Sequence, residues 1–152
     1  MINLTIWTEI DVPADEAIGY VSDFSNNADW QTGIRSTEWT SPPPIRVGST
    51  YDQTADYRDT VTSYEITAIE SGHSITTESR QGATIPITVT RTVHPLGESR
   101  CRITVDLVGR PRGFRRIVKP LLVRWARRSV EADYRRLKRL LEESEATGRR
   151  DE

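Results

Sequence analysis

Apolar and polar residues alternate with a period of two along most of the first 110 residues of the chain. Residues 2 to 10 alternate in this way, which predicts a half-buried β-strand. Pro13 and the acidic residues that follow it are start signals for a short helix. This helix carries Ala17, Ile18 and Val21 as its apolar residues.

From Arg35 onward the alternation resumes and predicts six more strands. They cover residues 35 to 40, 48 to 56, 60 to 70, 74 to 81, 84 to 94 and 100 to 109. Turn-forming residues separate them at Pro42-Pro43-Pro44, Ser71-Gly72, Gln81-Gly82 and Pro95-Leu96-Gly97. Because the connections are short, consecutive strands are expected to pair antiparallel.

The period becomes helical near the end of the chain. The stripe predicted to face the sheet consists of Val118, Leu122, Trp125, Ser129, Leu137 and Leu141. Roughly 30 residues of helix are about 45 Å long. Pro120 predicts either a kink or a helix that begins near Lys119 with the proline in its first turn. The fold class is therefore α+β. Within this fold we expect Gly48 at a turn or a close contact, and we expect Cys101 to be buried.

Composition limits the classes of protein that fit this pattern. A chain of 152 residues with 36% hydrophobic content supports one core, so residues 1–143 are predicted to form one domain and 144–152 a disordered tail. No apolar run approaches the roughly 18 residues that span a bilayer, which favours a soluble and most simply cytoplasmic protein.

Metal and cofactor chemistry finds little support in the residue types. The single cysteine cannot form an internal disulfide, and His73 and His94 lack metal-ligand spacing. The acidic cluster Asp52, Asp56 and Asp59 does not have the spacing of a calcium loop. We therefore expect no metal and no cofactor.

Charge is segregated along the chain, although the formal net charge is only −1. Residues 1–109 carry 7 Arg and 15 acidic residues, a net charge of −8, whereas residues 110–139 carry 12 basic and 2 acidic residues, a net charge of +10. The basic residues of the last helix are expected to form its solvated outer face. We expect no nucleic-acid partner, and contact with a membrane surface is unlikely to be their role.

The order of elements and several short motifs are similar to those of the START-like helix-grip superfamily, also called SRPBCC or polyketide cyclase/dehydrase-like, across essentially residues 1 to 143. The matching positions are Val12-Pro13-Ala14, Val21, Asp23, Trp30, Val47-Gly48, Tyr51, Leu137-Lys138 and Leu141-Glu142. The resemblance implies a seven-stranded curved antiparallel sheet around the C-terminal helix, with two short helices between strands one and two. It also implies that Trp30 packs beneath those helices; a role in stacking on a ligand is the alternative.

The resemblance further implies a cavity between the concave face of the sheet and the long helix, of the kind that holds sterols, lipids, polyketides or other apolar molecules. The strand at 84 to 94 independently places Ile85, Ile87 and Val89 on one side, with Arg91 at the next position of the same parity. A guanidinium at an apolar-parity position must be paired, lie at an open rim or contact a ligand group, and a bulge would turn it outward. The candidate ligand-binding residues are Arg91, Tyr51, Tyr57, Tyr64, Ile87, Val89, Val105, Leu122 and Trp125; for the aromatic ones, a place in the core is the alternative.

Three functions remain open from the sequence. The first is a carrier or sensor of a small hydrophobic ligand with one acidic or carbonyl group, since such a group would compensate the buried arginine. The second is a polyketide cyclase, aromatase or dehydratase that acts in the same cavity, where chain folding and a few proton-transfer groups would suffice. The third is an interaction protein that uses its basic helix. No catalytic residue is identified, and the oligomeric state is not indicated.

Overall fold

The computed structural model describes residues 1–111 and 119–150. Within these residues, seven strands form one antiparallel sheet with the order β1-β7-β6-β5-β4-β3-β2. The strands are β1 (Ile2–Ile10), β2 (Ile34–Trp39), β3 (Thr50–Ala55), β4 (Val61–Glu70), β5 (Ser74–Ser79), β6 (Ile87–Pro95) and β7 (Cys101–Gly109). Helix α1 (Ala14–Ser22) and a 3₁₀ helix (Phe24–Asp29) follow β1, a second 3₁₀ helix (Tyr57–Asp59) follows β3, and helix α2 (Lys119–Arg150) follows β7. The predicted α+β helix-grip fold is confirmed.

The strand pairings place one inner row of side chains across the middle of the sheet. Ile75 pairs with Arg91, Arg91 with Val105 and Val105 with Ile6. All four residues are buried. Arg91 thus lies at the inward parity predicted for it, in a row that is otherwise apolar.

Trp30 ends the 3₁₀ helix and is 1% exposed. Its ring contacts Tyr134 of α2 edge-on at 5.0 Å between centroids, and its carbonyl accepts a 2.8 Å hydrogen bond from Nη1 of Arg136. The tryptophan therefore joins the polar segment after α1 to the long helix, which is the packing role expected of it.

Helix α2 begins, in the described residues, at Lys119 with Pro120 in its first turn, as one of the two predicted arrangements requires. Its 32 residues correspond to about 48 Å. Residues 144–150 continue the helix, whereas a disordered tail was predicted from residue 144. In this last part Thr147 Oγ1 donates a hydrogen bond to the Glu143 carbonyl.

The stripe of α2 that faces the sheet differs from the predicted one. Val130, Tyr134, Leu137 and Leu141 pack in the main core, and Trp125 is 70% exposed. The predicted stripe through Trp125 and Ser129 is offset from the observed one by one residue, or about 100° of rotation. Leu137 and Leu141 belong to the buried stripe as predicted, while Val118 lies outside the described residues.

Two apolar clusters form the interior. The larger joins α1, β1, β7 and α2, and the smaller consists of Phe24, Tyr51, Ile66 and Ile75. Cys101 is fully buried in the larger cluster, as predicted, and burial raises the pKa of its thiol. Gly48 has φ of +94° in a turn, as predicted, and no contact there would exclude a Cβ, so only its backbone conformation favours glycine.

Candidate functional site

A cavity of about 150 Å³ lies between the inner face of the sheet, the first 3₁₀ helix and α2. Sites for drug-sized ligands are typically about 300 to 1,000 Å³, so this cavity is smaller than the range expected. A space of roughly 150 Å³ is nevertheless enough for one benzene ring. Its size therefore favours a compact ligand.

Six of the nine predicted ligand-binding residues line this cavity: Tyr51, Tyr64, Ile87, Val89, Arg91 and Val105. The other three do not. Tyr57 is 70% exposed in the short 3₁₀ helix between β3 and β4, and Leu122 is half-buried away from the cavity. Trp125 faces solvent because of the one-residue offset in the buried stripe of α2.

Arg91 is 2% exposed and holds three elements together. Its Nη1 donates to the Val21 carbonyl at the end of α1 at 2.8 Å, and its Nη2 donates to Asn27 Oδ1 of the 3₁₀ helix at 3.1 Å. The guanidinium carbon lies 4.3 Å from the Phe24 ring centroid and 5.0 Å from that of Trp30. Cation–π contact and hydrogen bonds thus both stabilise the buried charge.

No carboxylate in the described part of the chain forms an ion pair with Arg91. Both hydrogen-bond acceptors, a backbone carbonyl and an amide oxygen, are neutral. Its Nε–H has no hydrogen-bond partner in residues 1–111 or 119–150. A buried cation without a counter-ion is costly, so its presence beside a cavity calls for an explanation.

Tyr134 provides a second polar group without a partner on the cavity wall. Its hydroxyl is buried and donates no hydrogen bond to a described residue, and the Arg91 side chain lies beside its oxygen. Burial raises the pKa of Tyr134, and the nearby Arg91 charge opposes part of this rise. The hydroxyl therefore keeps its proton at neutral pH and is available as a donor.

Stacked aromatic rings form another part of the wall. Tyr51 lies between Phe24, at 4.9 Å, and Tyr64, at 5.1 Å between ring centroids. The Tyr51 hydroxyl, unlike that of Tyr134, has a partner in Thr77 Oγ1 at 3.0 Å. Burial raises the pKa values of Tyr51 and Tyr64. This wall is apolar and neutral apart from hydroxyl groups.

The sequence did not identify nine further lining residues. They are Phe24, Asn27, Gln31, Gln53, Thr77, Leu107, Val130, Asp133 and Tyr134, of which only Leu107 was expected to point inward. Asp133 accepts hydrogen bonds from both the backbone nitrogen and the hydroxyl of Thr32, each at 2.9 Å. Asn27 Nδ2 donates to Gln53 Oε1 at 3.1 Å, which leaves its own oxygen for Arg91. The polar part of the wall thus comes from the 3₁₀ segment and α2 together with Arg91 and the polar residues of β3 and β5.

Outside this cavity, the described residues place several basic side chains of the last helix on the surface. Arg124, Arg128, Arg135 and Arg139 are exposed on the outer face of α2, while Arg112, Arg115 and Arg116 lie outside the described residues. Across the described ranges, no group of three potential ligands could hold a metal ion. No helix found there is long and apolar enough to cross a bilayer.

Comparison with known proteins gives one family match. The family described as polyketide cyclase/dehydrase and lipid transport matches residues 1–142. A comparison with curated protein sequences gives no match.

Solved structures with the same fold are distant in sequence. A START superfamily protein from Mycobacterium smegmatis is 17% identical with a TM-score of 0.76, over 93% of this chain and 97% of that one. A Deinococcus radiodurans protein is 21% identical with a TM-score of 0.67, over 95% and 99% of the two chains. Norcoclaurine synthase from Thalictrum flavum, solved with dopamine and hydroxybenzaldehyde, is 17% identical with a TM-score of 0.66, over 93% and 87%. At these identities the likeness shows the fold alone.

Proposed function

Because this chain belongs to the polyketide cyclase/dehydrase and lipid transport family, we propose that it is a carrier or sensor that binds a small hydrophobic ligand between the sheet and α2. The observation that carries the proposal is the wall of the cavity, where aromatic and aliphatic side chains surround a single buried cation. Apolar walls with a few placed polar groups are typical of small-molecule sites.

The proposed ligand is compact, about the size of one ring with a short substituent. The cavity volume of about 150 Å³ supports this limit. The related fold of norcoclaurine synthase was solved with dopamine and hydroxybenzaldehyde, which are single-ring molecules. The ring would lie against Val89 and the Tyr51–Tyr64 stack, with an acidic or carbonyl group directed towards Arg91.

A cyclase, aromatase or dehydratase acting in the same cavity is the second candidate. One observation favours it: the neutral Tyr134 hydroxyl beside Arg91 has the position of a proton donor. The volume favours binding, because a folded poly-β-ketone chain needs more space than one ring. Incubation with a short β-diketone thioester, followed by mass spectrometry, would reveal the loss of water that a cyclase or dehydratase causes.

The test of binding is titration of 4-fluorotoluene, a small neutral aromatic probe, followed by fluorine NMR. We expect saturable binding to the wild type and its loss in Val89→Phe, which places a ring in the cavity. Val108→Phe is the matched control, because Val108 has the opposite parity on neighbouring β7 and faces away from the cavity. Equal binding by both variants, or none by the wild type, would contradict the proposal.

A further inference from the structure

We propose that the ligand is a compact carboxylate monoanion whose oxygens accept hydrogen bonds from Arg91 Nε and Tyr134 Oη. This inference rests on the proposed function, because it places the ligand in the same cavity. It goes further by defining the charge of the ligand and the two atoms that recognise it.

Unpartnered donors are the first reason. Arg91 and Tyr134 both line the cavity, both are at most 3% exposed, and each has a polar atom without a partner in the described chain. Such buried atoms are uncommon in native structures, because each costs about 1 to 3 kcal/mol. The Tyr134 oxygen can accept from the neighbouring Arg91, but its O–H donor still has no acceptor among the described residues, so the missing component is an acceptor.

The uncompensated charge of Arg91 is the second reason. The contacts to Val21 and Asn27 supply hydrogen bonds but no negative charge. A neutral carbonyl group would satisfy the donors and leave the buried cation without a counter-ion. A carboxylate provides both functions, and charge-assisted hydrogen bonds of this kind are roughly twice as strong as neutral ones.

Asp133 limits the ligand to one negative charge. It lies on the cavity wall next to Tyr134, and its carboxylate already accepts hydrogen bonds from Thr32 and Arg136. A second anionic group in a cavity of about 150 Å³ would lie close to this carboxylate and be repelled. Dianions and phosphate esters are therefore disfavoured relative to a monocarboxylate.

Benzoate is the test probe, compared at pH 7 with its neutral amide, benzamide, and with toluene by calorimetric titration and thermal shift. We expect benzoate to bind at least about tenfold more tightly than benzamide, since hydrogen bonds to charged groups contribute more. Tyr134→Phe should weaken benzoate binding by at least about tenfold and toluene binding by less than about twofold.

Three further variants distinguish a loss of ligand recognition from a general loss of structure. Arg91→Met should lose the preference for benzoate over benzamide. Arg102→Met should keep it, because Arg102 also covers a tryptophan ring but lies on the outer face of the sheet. Tyr20→Phe, outside the cavity, is the matched control for Tyr134→Phe. If Arg91→Met does not fold, Tyr134→Phe still decides the question.

Four outcomes would overturn the inference. Equal affinities for benzoate and benzamide, or an unchanged benzoate affinity in Tyr134→Phe, would exclude recognition of a carboxylate by these atoms. Binding of toluene without benzoate would overturn the inference and leave the proposed function intact. Binding of none of the three probes would contradict both.

Discussion

The buried hydroxyl of Tyr134 leads to the prediction that removing it stabilises the protein, which is unusual for a buried polar group. Removing a buried polar group normally destabilises a protein because its partner is left unsatisfied. Tyr134 Oη donates to no described residue, and the neighbouring Arg91 keeps its bonds to Val21 and Asn27 when the hydroxyl is removed, so Tyr134→Phe leaves no newly broken hydrogen bond of this kind. We expect the ligand-free variant to be more stable than the wild type.

The magnitude follows from the cost of burying a hydroxyl without a hydrogen bond, which is about 1 to 3 kcal/mol in mutational data. We expect the lower limit, about 1 kcal/mol, because the hydroxyl lies beside a cavity of polar and apolar atoms. In a domain of this length, about 1 kcal/mol corresponds to a rise in Tm of roughly 2 to 4 °C.

Tyr51→Phe is the matched comparison at another tyrosine of the cavity wall. Its hydroxyl is bonded to Thr77 Oγ1 at 3.0 Å, so its removal should lower the free energy of unfolding by about 1 kcal/mol. Urea denaturation followed by tryptophan fluorescence measures both variants, since the Trp30 ring lies 5.0 Å from that of Tyr134. If Tyr134→Phe lowers the free energy of unfolding as Tyr51→Phe does, the assignment of Tyr134 as unpartnered is refuted.

Three other properties can be checked directly. Burial raises the pKa values of Tyr51 and Tyr134, so these tyrosines lose their protons more readily in the unfolded chain than in the folded one. The urea concentration at the unfolding midpoint should therefore fall as the pH rises above about 10, and a midpoint that stays constant to about pH 11 would contradict this. Leu137→Ala should cost about 2 to 5 kcal/mol because Leu137 is 0% exposed, whereas Leu121→Ala, at a 68% exposed position, should change stability by about 0.5 kcal/mol or less in thermal unfolding. Cys101, also fully buried, should react with a thiol reagent much more slowly in the native state than in urea, and equal rates would exclude its burial.

The strands were predictable because their signal is local. Alternation along β6 identified the inward parity of Val89 and Arg91 without knowledge of the neighbouring strands. The exception in that alternation also singled out Arg91 as a residue with a special role. Parity, however, says nothing about which groups surround the guanidinium, and its contacts to Val21 and Asn27 span 70 and 64 positions of sequence.

The face of α2 that packs against the sheet was not predictable in the same way. Two apolar stripes, one through Leu122 and Trp125 and one through Val130 and Tyr134, are offset by a single residue. Each fits helical periodicity, and the choice depends on which stripe fits the sheet and Trp30. The large apolar residues of the first stripe favoured it as the buried one. The second stripe includes Asp133, and because aspartate is rarely buried, this residue argued against the stripe that is in fact buried. The same error concealed Tyr134 as a member of the site.

Tyr57 illustrates a further limit. It follows β3 directly, as a pocket residue at the end of a strand would, but the chain turns there through Arg58 and Asp59 with positive φ. This turn leaves the side chain in solvent. Alternation continued through the turn would place it on the inner face, so strand ends are where parity arguments lose their value.

A structural role for Arg91 explains part of its geometry and leaves part unexplained. By joining the end of α1 to the 3₁₀ helix it positions Trp30 and Asn27, and lysine, with one nitrogen, would not reproduce the two directed bonds to Val21 and Asn27. Those bonds use Nη1 and Nη2 and would be made with or without a ligand. Among the described residues they do not account for the unpartnered Nε–H, the absence of an ion pair or the unused O–H donor of the adjacent Tyr134. A purely structural arginine would be expected to have a carboxylate nearby, as Arg136 has in Asp133. The structural role therefore leaves the Nε–H and charge of Arg91 and the Tyr134 hydroxyl unexplained, and a bound anion would satisfy all three.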